Sequence, residues 1–363
     1  MQNAHEIRTA FQGARASGLR AKEAAELLGL SEGAAIAAHR GAHDAPLQAI
    51  ALKPDWLGLL QALEACGPLM ALTRNESVVH EKTGVYQKVS ASGPVGLALG
   101  EQIDLRLFFN QWHAGFVVAE ALKSQPGMGT PSLQFFDRHG LAVHKIFVRE
   151  QTDLSAWQHV IATHSDDQRE TDFMPRAAVG TPAPQPLVDA TAFGAAWGKM
   201  TDTHQFFPLL KQFGLERQQG FRLVEGRYTH RVEKAAVREL LMEAAFDGTP
   251  IMVFVGSPGC IQIHTGPVQR VEPMEIQGKA WLNVLDPGFN LHLREDLIQD
   301  VWVVEKPTSD GVVTSVEAFD ARGELMAMFF GARKPGQSEL QAWRHIVAHL
   351  QAAAGQPRDA VTA

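Results

Sequence analysis

Apolar residues recur at three- and four-residue spacing through Ala21-Lys22-Glu23-Ala24-Ala25-Glu26-Leu27-Leu28 and again from Trp56 to Ala65, which predicts helices in both places. Further on the spacing shortens to two. Val78-Val79, Val95 to Leu99, Ile103 to Phe109, Gly115 to Val118 and Ser132 to Phe136 read as strands. Asp137-Arg138-His139-Gly140 and Asp320-Ala321-Arg322-Gly323 read as turns between paired strands. The last element is helical again and runs to about Ala352, with Ser338 and Gln341 at the spacing of a capping box. Helix, sheet and helix, repeated, predict an α+β fold with mostly antiparallel sheets.

The repetition extends to individual residues. At a separation of 182 positions Phe11 meets Phe193, Leu59 meets Leu241, Pro68 meets Pro250 and Met70 meets Met252. The register drifts to 186 where Leu105, Leu107 and Val117 fall on Leu291, Leu293 and Val303, and Trp157-x-His159 recurs as Trp343-x-His345. A period this long is a whole domain, not a solenoid unit. Residues 1–173 are expected to form one copy and 188–355 the other. Between them residues 174–187 form a linker, stiffened by Pro175, Pro182, Pro184 and Pro186, and 356–363 are expected to be a disordered tail.

Composition narrows the function classes. With 363 residues, 45% hydrophobic and 20% charged, the chain can bury two ordinary cores. A formal charge of -7 argues against a surface that coats nucleic acid. Cys66 and Cys260 are the only thiols, which fits a reducing compartment. The N-terminus carries no basic, then apolar, secretion signal, and no window has the apolar length of a membrane span. The expected location is the cytoplasm, without stable membrane insertion.

Several motifs dissolve on inspection. Gly29-Leu30-Ser31-Glu32-Gly33 has the letters of a nucleophile elbow, but the text before it is helical where that motif needs a strand. Ala21 to Arg40 has the outline of a helix-turn-helix, yet Ala34, Ala35, Ala37 and Ala38 offer nothing to base edges, so it reads as a small packed helical subdomain. His39 with His43 and His345 with His349 lack further ligands at a metal-site spacing and read as solvated surface residues. His204 is different, because its counterpart 182 positions earlier is Lys22. A histidine found in one copy does not serve the shared fold. Helical geometry would set Phe207 and Lys211 on its face, giving a metal-capable imidazole with an aromatic neighbour, with Pro208 either in the first turn or at a kink. Arg106, matched by His292, and Lys306, matched by Glu120, also differ between copies, a pattern that an anionic ligand in an asymmetric cleft or simple surface drift would each produce.

Taken together, Ala71-Leu72-Thr73-Arg74-Asn75-Glu76, Val79-His80-Glu81-Lys82, Ile103-Asp104-Leu105-Arg106-Leu107-Phe108, Thr201-Asp202-Thr203-His204-Gln205-Phe206-Phe207, Asn283-Val284-Leu285-Asp286-Pro287 and Lys306-Pro307-Thr308 resemble the HemS family. This bacterial haem-utilisation group includes haem-degrading factors and cytoplasmic haem chaperones. The resemblance runs from about residue 5 to 350. It implies a tandem duplication of an α+β domain, each copy a large antiparallel sheet flanked by helices, the two related by a pseudo-twofold with a ligand cleft between the halves. It implies haem b as the ligand, with His204 on the iron and Arg106 over the opposite face. It also implies Arg217, Lys306 and Arg333 as propionate partners and Phe108 and Phe207 as aromatic groups flanking the pocket. The residue types suit those roles, since neutral imidazole is a good donor to iron and guanidinium keeps its charge and its several donors. Gln205 and Phe206 stand where some chaperone members carry extra histidines, which favours the single-ligand, degradation-competent subgroup. An aromatic hydroxyl found near the haem in some relatives is missing from Leu325-Met326-Ala327-Met328-Phe329.

The expectation is a cytoplasmic haem-binding protein that opens the porphyrin ring of imported haem and releases iron. It would be a haem-oxygenase-like oxidoreductase in which haem is both cofactor and substrate, with His204 and Arg106 as its catalytic residues. Its expected partners are haem, an electron donor (NAD(P)H or a reductase) and a haem importer. Two rival readings are a non-catalytic chaperone that hands haem to a haem oxygenase or apoprotein, and a haem-responsive DNA-binding regulator built on Ala21 to Arg40.

Overall fold

The computed structural model describes residues 3–42, 45–120, 131–176, 186–334 and 336–355. The central part of the expected linker, residues 177–185, and the expected tail, 356–363, lie outside the described residues, as do His43 and Pro335. The chain divides into two compact units. The first comprises Met1–Asn75, Val79–Ala178 and Gly256–Ile263, and the second comprises Glu76–Val78, Val179–Val255 and His264–Ala363.

In the first unit an antiparallel sheet runs in the order Leu47–Ala51, Ala114–Glu120, Ser132–Phe136, Ala142–Val148, Leu69–Arg74 and Val78–Gly84. Its middle strands are covered on both faces, so successive residues enter different cores. Phe135 and Val117 pack with Leu59, Leu60, Trp157 and Val160 from helices Trp56–Ala62 and Leu154–His164. Phe136, Phe116 and Val118 pack with Phe11, Ala24, Ala25 and Ile36 from helices Ala4–Ala16, Ala21–Leu27 and Glu32–Ala37. A second run pairs the start of Cys260–Gly266 with Asp104–Phe108, then Val95–Leu99, then Ser90–Ser92.

The second unit repeats the plan. Strands Thr229–Val232, Ile298–Thr308, Gly311–Asp320, Leu325–Gly331 and Ile251–Gly256 form one antiparallel array, and Phe289–Arg294, Lys279–Asp286 and Val271–Ile276 form another. Helices Ala236–Asp247 and Gln341–Ala354 cover one face with Leu240, Leu241, Trp343 and Ile346. Helices Ala190–Trp197, Phe206–Phe213 and Arg217–Leu223 cover the other with Phe193, Trp197, Phe206 and Phe221.

The two predicted turns are built alike. Asp137 Oδ1 accepts from the backbone N–H of His139 and Leu141, and Asp320 Oδ1 from those of Arg322 and Glu324. Gly140 and Gly323 stand at φ of +74° and +80°, where a side chain would be strained.

Two local expectations need correction. The C-terminal helix begins at Gln341 with Leu340 as its cap and no side-chain cap bond, so Ser338 caps nothing. His39 is buried: its Nδ1 lies 2.8 Å from the Ala35 carbonyl and its ring meets Phe11 edge-on. His345 and His349 are exposed, as read from their spacing. Ser31 caps a helix of six residues, of which Glu32, Gly33, Ala35 and Ile36 are buried, which fits a packed helical subdomain whose partly open face carries only alanines.

Candidate functional site

Phe206 sets up the site in the second unit. Its ring is buried, edge-on to Trp197 at 5.0 Å and stacked on Phe221 at 5.9 Å, and this fixes the start of helix Phe206–Phe213. One residue along the helix is 100° of rotation, so Phe207 turns outward and is 73% exposed. Pro208 is the third residue of that helix, where its missing N–H costs no hydrogen bond, and no kink is required. Gly214 ends the helix in the left-handed conformation.

His204 lies just ahead, in the single 3₁₀ turn Thr203–Gln205. A reciprocal cap shapes this turn: Asp202 Oδ1 accepts from the His204 backbone N–H at 2.7 Å, and Gln205 Oε1 accepts from the backbone N–H of Thr201 at 2.8 Å and of Asp202 at 3.3 Å. The same Asp202 oxygen lies 2.7 Å from His204 Nδ1. The backbone N–H bond, first, and then the ring contact hold the Asp202 carboxyl below its ordinary value. The imidazole side chain is 93% exposed.

Beneath this turn lies a charge cluster that sequence reasoning missed. Glu317, wholly buried on strand Gly311–Asp320, accepts from Arg217 Nε at 2.6 Å and Nη2 at 2.8 Å, from Lys306 Nζ at 3.0 Å and from Ser315 Oγ at 2.9 Å. Burial pushes such a carboxyl up, but the Arg217 and Lys306 charges outweigh it and hold Glu317 at about 2. Both cations also lie over the Phe206 ring, Arg217 at 5.0 Å and Lys306 at 4.8 Å. Two positive charges on one carboxylate leave a formal excess of +1. Arg217 remains partly exposed, whereas Lys306 is buried. Met328 Sδ is 3.2 Å from Arg217 Nη2, where the missing aromatic hydroxyl left the strand apolar.

Arg333 completes this side. Its Nη2 donates to Asp310 Oδ2 at 3.1 Å, and the neighbouring Ser309 N–H donates to the Thr201 carbonyl at 2.9 Å, tying that hairpin to the His204 turn. His204, Phe207, Arg217, Lys306 and Arg333 thus belong to one unit. Divergence between the copies singled out His204 and Lys306, family resemblance assigned the roles, and the fold gathers these residues about helix Phe206–Phe213 and the adjoining sheet.

Arg106 and Phe108 belong to the first unit. Leu105 and Leu107 are buried on one face of strand Asp104–Phe108, so Asp104, Arg106 and Phe108 share the half-exposed face. Arg106 pairs with Asp104 two residues away and opposes Leu97 and Ile261 on the flanking strands. The alternation made the strand legible, and Arg106 itself stood out because its counterpart in the other copy is His292.

The signals for the missed residues were present. Asp202 and Gln205 have capping-box spacing, and Glu317 is the one charge inside Val312-Val313-Thr314-Ser315-Val316-Glu317-Ala318-Phe319, a run too apolar to leave a carboxylate without partners. Among the described residues no cluster of three or more histidine, cysteine or acidic side chains is placed to cage a bare metal ion. No helix of the described residues is long and apolar enough to cross a membrane.

A duplicated α+β chain, with one copy presenting an unburied imidazole beside an exposed aromatic and a cationic cradle, has the features of a protein that holds a flat, anionic, metal-bearing ligand. The family follows from comparison. The Haemin-degrading HemS.ChuX domain matches residues 29–164 and again 214–350, so the chain belongs to the HemS family and carries its domain twice. The hemin transport protein HmuS of Yersinia pestis is 41% identical over 332 residues, 91% of this chain and 92% of its own length. Holo-PhuS, a heme-binding protein from Pseudomonas aeruginosa, superposes with a TM-score of 0.88 at 42% identity, covering 96% of this chain and 99% of its own. The heme degrading enzyme ChuS of Escherichia coli O157:H7 gives 0.87 at 37% identity over 96% of this chain and 99% of its own.

Proposed function

We propose that this chain is a cytoplasmic haem-binding protein of haem utilisation, that His204 ligates the iron, and that the bound haem is opened with release of iron. The observation that carries the reading is the exposed His204 ring, whose Nδ1 lies 2.7 Å from Asp202 Oδ1. The donor set fits haem. One neutral imidazole suffices as the axial protein ligand, Phe207 offers an apolar face, and Arg217 and Arg333 offer charge to carboxylates. Lys306 supports Arg217 from beneath through Glu317. Arg106, with Phe108 beside it, is proposed for the opposite face, where guanidinium N–H groups can donate to what occupies that side.

Haem, when bound, supplies the redox iron and the oxidisable ring, and an external electron donor is required. The residues of this chain supply orientation and charge. The relatives span hemin transport, heme binding and heme degradation, and the degradative reading draws on ChuS. The chaperone reading draws on HmuS.

An absorption titration with hemin, run on the wild type and on His204→Ala, tests the ligand. The expected result is a shifted Soret maximum that the variant loses together with affinity. The same maximum and the same affinity in both would reject His204. Loaded protein given a reductant under air is then expected to lose its Soret band and release iron; an intact band would select the chaperone reading.

A further inference from the structure

We infer that Asp202 is a positioning residue that fixes the tautomer and direction of the His204 ring before any ligand arrives. The inference rests on the proposal that His204 is the iron ligand, and goes beyond it by naming the group that makes an exposed histidine a competent one. An imidazole this exposed would ordinarily sample several rotamers and both neutral tautomers. Here one carboxylate oxygen takes two bonds, each 2.7 Å long, one from the backbone N–H at the root of the side chain and one from the ring. Those two anchors leave the ring little freedom about χ1 and χ2.

The anchor is itself held. Asp202 is the extended residue that caps the turn, at φ of −151° and ψ of 138°. Its backbone N–H is engaged by Gln205 Oε1, and Gln205 Nε2 in turn donates to Thr201 Oγ1 at 3.3 Å. The Thr201 carbonyl is tied to Ser309. The carboxylate is thus supported from two elements of the unit instead of hanging from a loose loop.

Three consequences follow from this geometry. The proton is placed on Nδ1, the tautomer that free histidine disfavours, so Nε2 has its lone pair available without rearrangement. Rotamer entropy that an exposed ring would lose on ligation is already lost in the folded protein. A charged acceptor on Nδ1 also gives the ring partial imidazolate character, which strengthens its donation to a metal. Removing such an outer partner typically lowers metal affinity about 10- to 100-fold.

Two variants separate this role from simple helix capping. Asp202→Asn keeps an oxygen for the His204 backbone N–H but removes the charge, and Asp202→Ala removes both. In the haem-free protein, long-range ¹H–¹⁵N correlation spectra of the imidazole are expected to show the Nδ1–H form in the wild type. Asp202→Ala is expected to revert to the Nε2–H form. In the hemin complex reduced to ferrous haem the iron–histidine stretching band is expected to move to lower frequency in Asp202→Asn, with weaker binding and a more positive reduction potential. An Nε2–H tautomer in the wild type, or an unchanged band and potential in Asp202→Asn, would overturn the inference and leave Asp202 as a cap. If His204→Ala left the hemin spectrum unchanged, the ligand assignment would fall instead, while the tautomer measured without haem would still judge the anchoring.

Discussion

Replacing Glu317 by glutamine removes one charge from the centre of the Arg217–Glu317–Lys306 cluster and leaves the side chain's shape nearly intact. Its consequence can be sized from the structure. The carboxyl is held at about 2 against an ordinary value of 4.5, because Arg217 and Lys306 both bond to it. That difference corresponds to about 3 kcal/mol favouring the ionised form. Breaking a buried pair by deleting one partner costs about 3–5 kcal/mol by a separate route, since the remaining charges stay buried. Lys306 would be left stranded, because its side chain is only 4% accessible and cannot recover solvation by swinging outward.

For a unit of this size, about 3 kcal/mol lowers the urea midpoint by about 1 M. The sign with pH is definite. A carboxyl whose folded value is depressed contributes fully above its unfolded value of 4.5 and contributes nothing once pH has fallen through about 2. Urea unfolding of the wild type and Glu317→Gln, followed by far-UV circular dichroism at pH 7, 4 and 3, should therefore show a gap that is widest at pH 7 and shrinks toward pH 3. A gap below about 0.5 kcal/mol at pH 7, or one that does not change with pH, would refute the charge argument.

Other outcomes follow from the same geometry. His144 is wholly buried between Thr73 and Tyr86 and burial draws it from 6.5 down to about 3, so the unfolded chain binds a proton that the folded unit refuses across that range. Stability should fall on acidification from 6.5 toward 3, and melting temperatures of His144→Asn at pH 7, 6 and 5 should show a shallower slope than the wild type. Gly33→Ala would set a Cβ 2.8 Å from Phe173 and 2.9 Å from the Gly140 backbone, and a loss of about 1–3 kcal/mol is expected. Gly13→Ala, in an open stretch of helix Ala4–Ala16 with nothing within 4 Å, should instead gain up to about 1 kcal/mol; thermal melts of the pair check both signs. Phe207→Ser should change stability by less than about 0.5 kcal/mol, because the ring is exposed, while weakening hemin in a fluorescence-quenching titration.

What could be read from the chain depended on how each segment is covered. Asp104–Phe108 and Leu47–Ala51 have one face inside and one outside, and only the first was picked out by its alternation. Leu69–Arg74 and Ala142–Val148 are buried on nearly every residue, so no period of two marks them and they were not anticipated. Helix Ala4–Ala16 escaped because Gly13 and a scatter of alanines blur its apolar stripe, although Asn3 and Glu6 form a capping box at its start. Ser338 misled because capping spacing says nothing about whether the backbone reaches the cap. At the site, His204 stood out by its absence from the other copy, and its motif drew in the remaining residues through family resemblance. Glu317 and Asp202 were missed because an acidic residue acquires meaning there only through partners distant in sequence or through the atoms of its own turn.

The first copy contains its own buried carboxylate between two cations: Glu32, the first residue of helix Glu32–Ala37, is bonded by Arg74 and by Lys145 Nζ at 2.6 Å. Arg217 opens the corresponding helix of the second copy, 185 positions later, so the helix carries the anion in one half and a cation in the other. During synthesis a tandem chain risks docking a helix from one half on the sheet of its sibling. Such an exchange would set Glu32 beside Glu317 with Lys306 alone to serve both carboxylates, or crowd Arg217 against Arg74 and Lys145. Opposite polarity at one shared address thus matches each helix to the charges of its own sheet and not to those of its sibling.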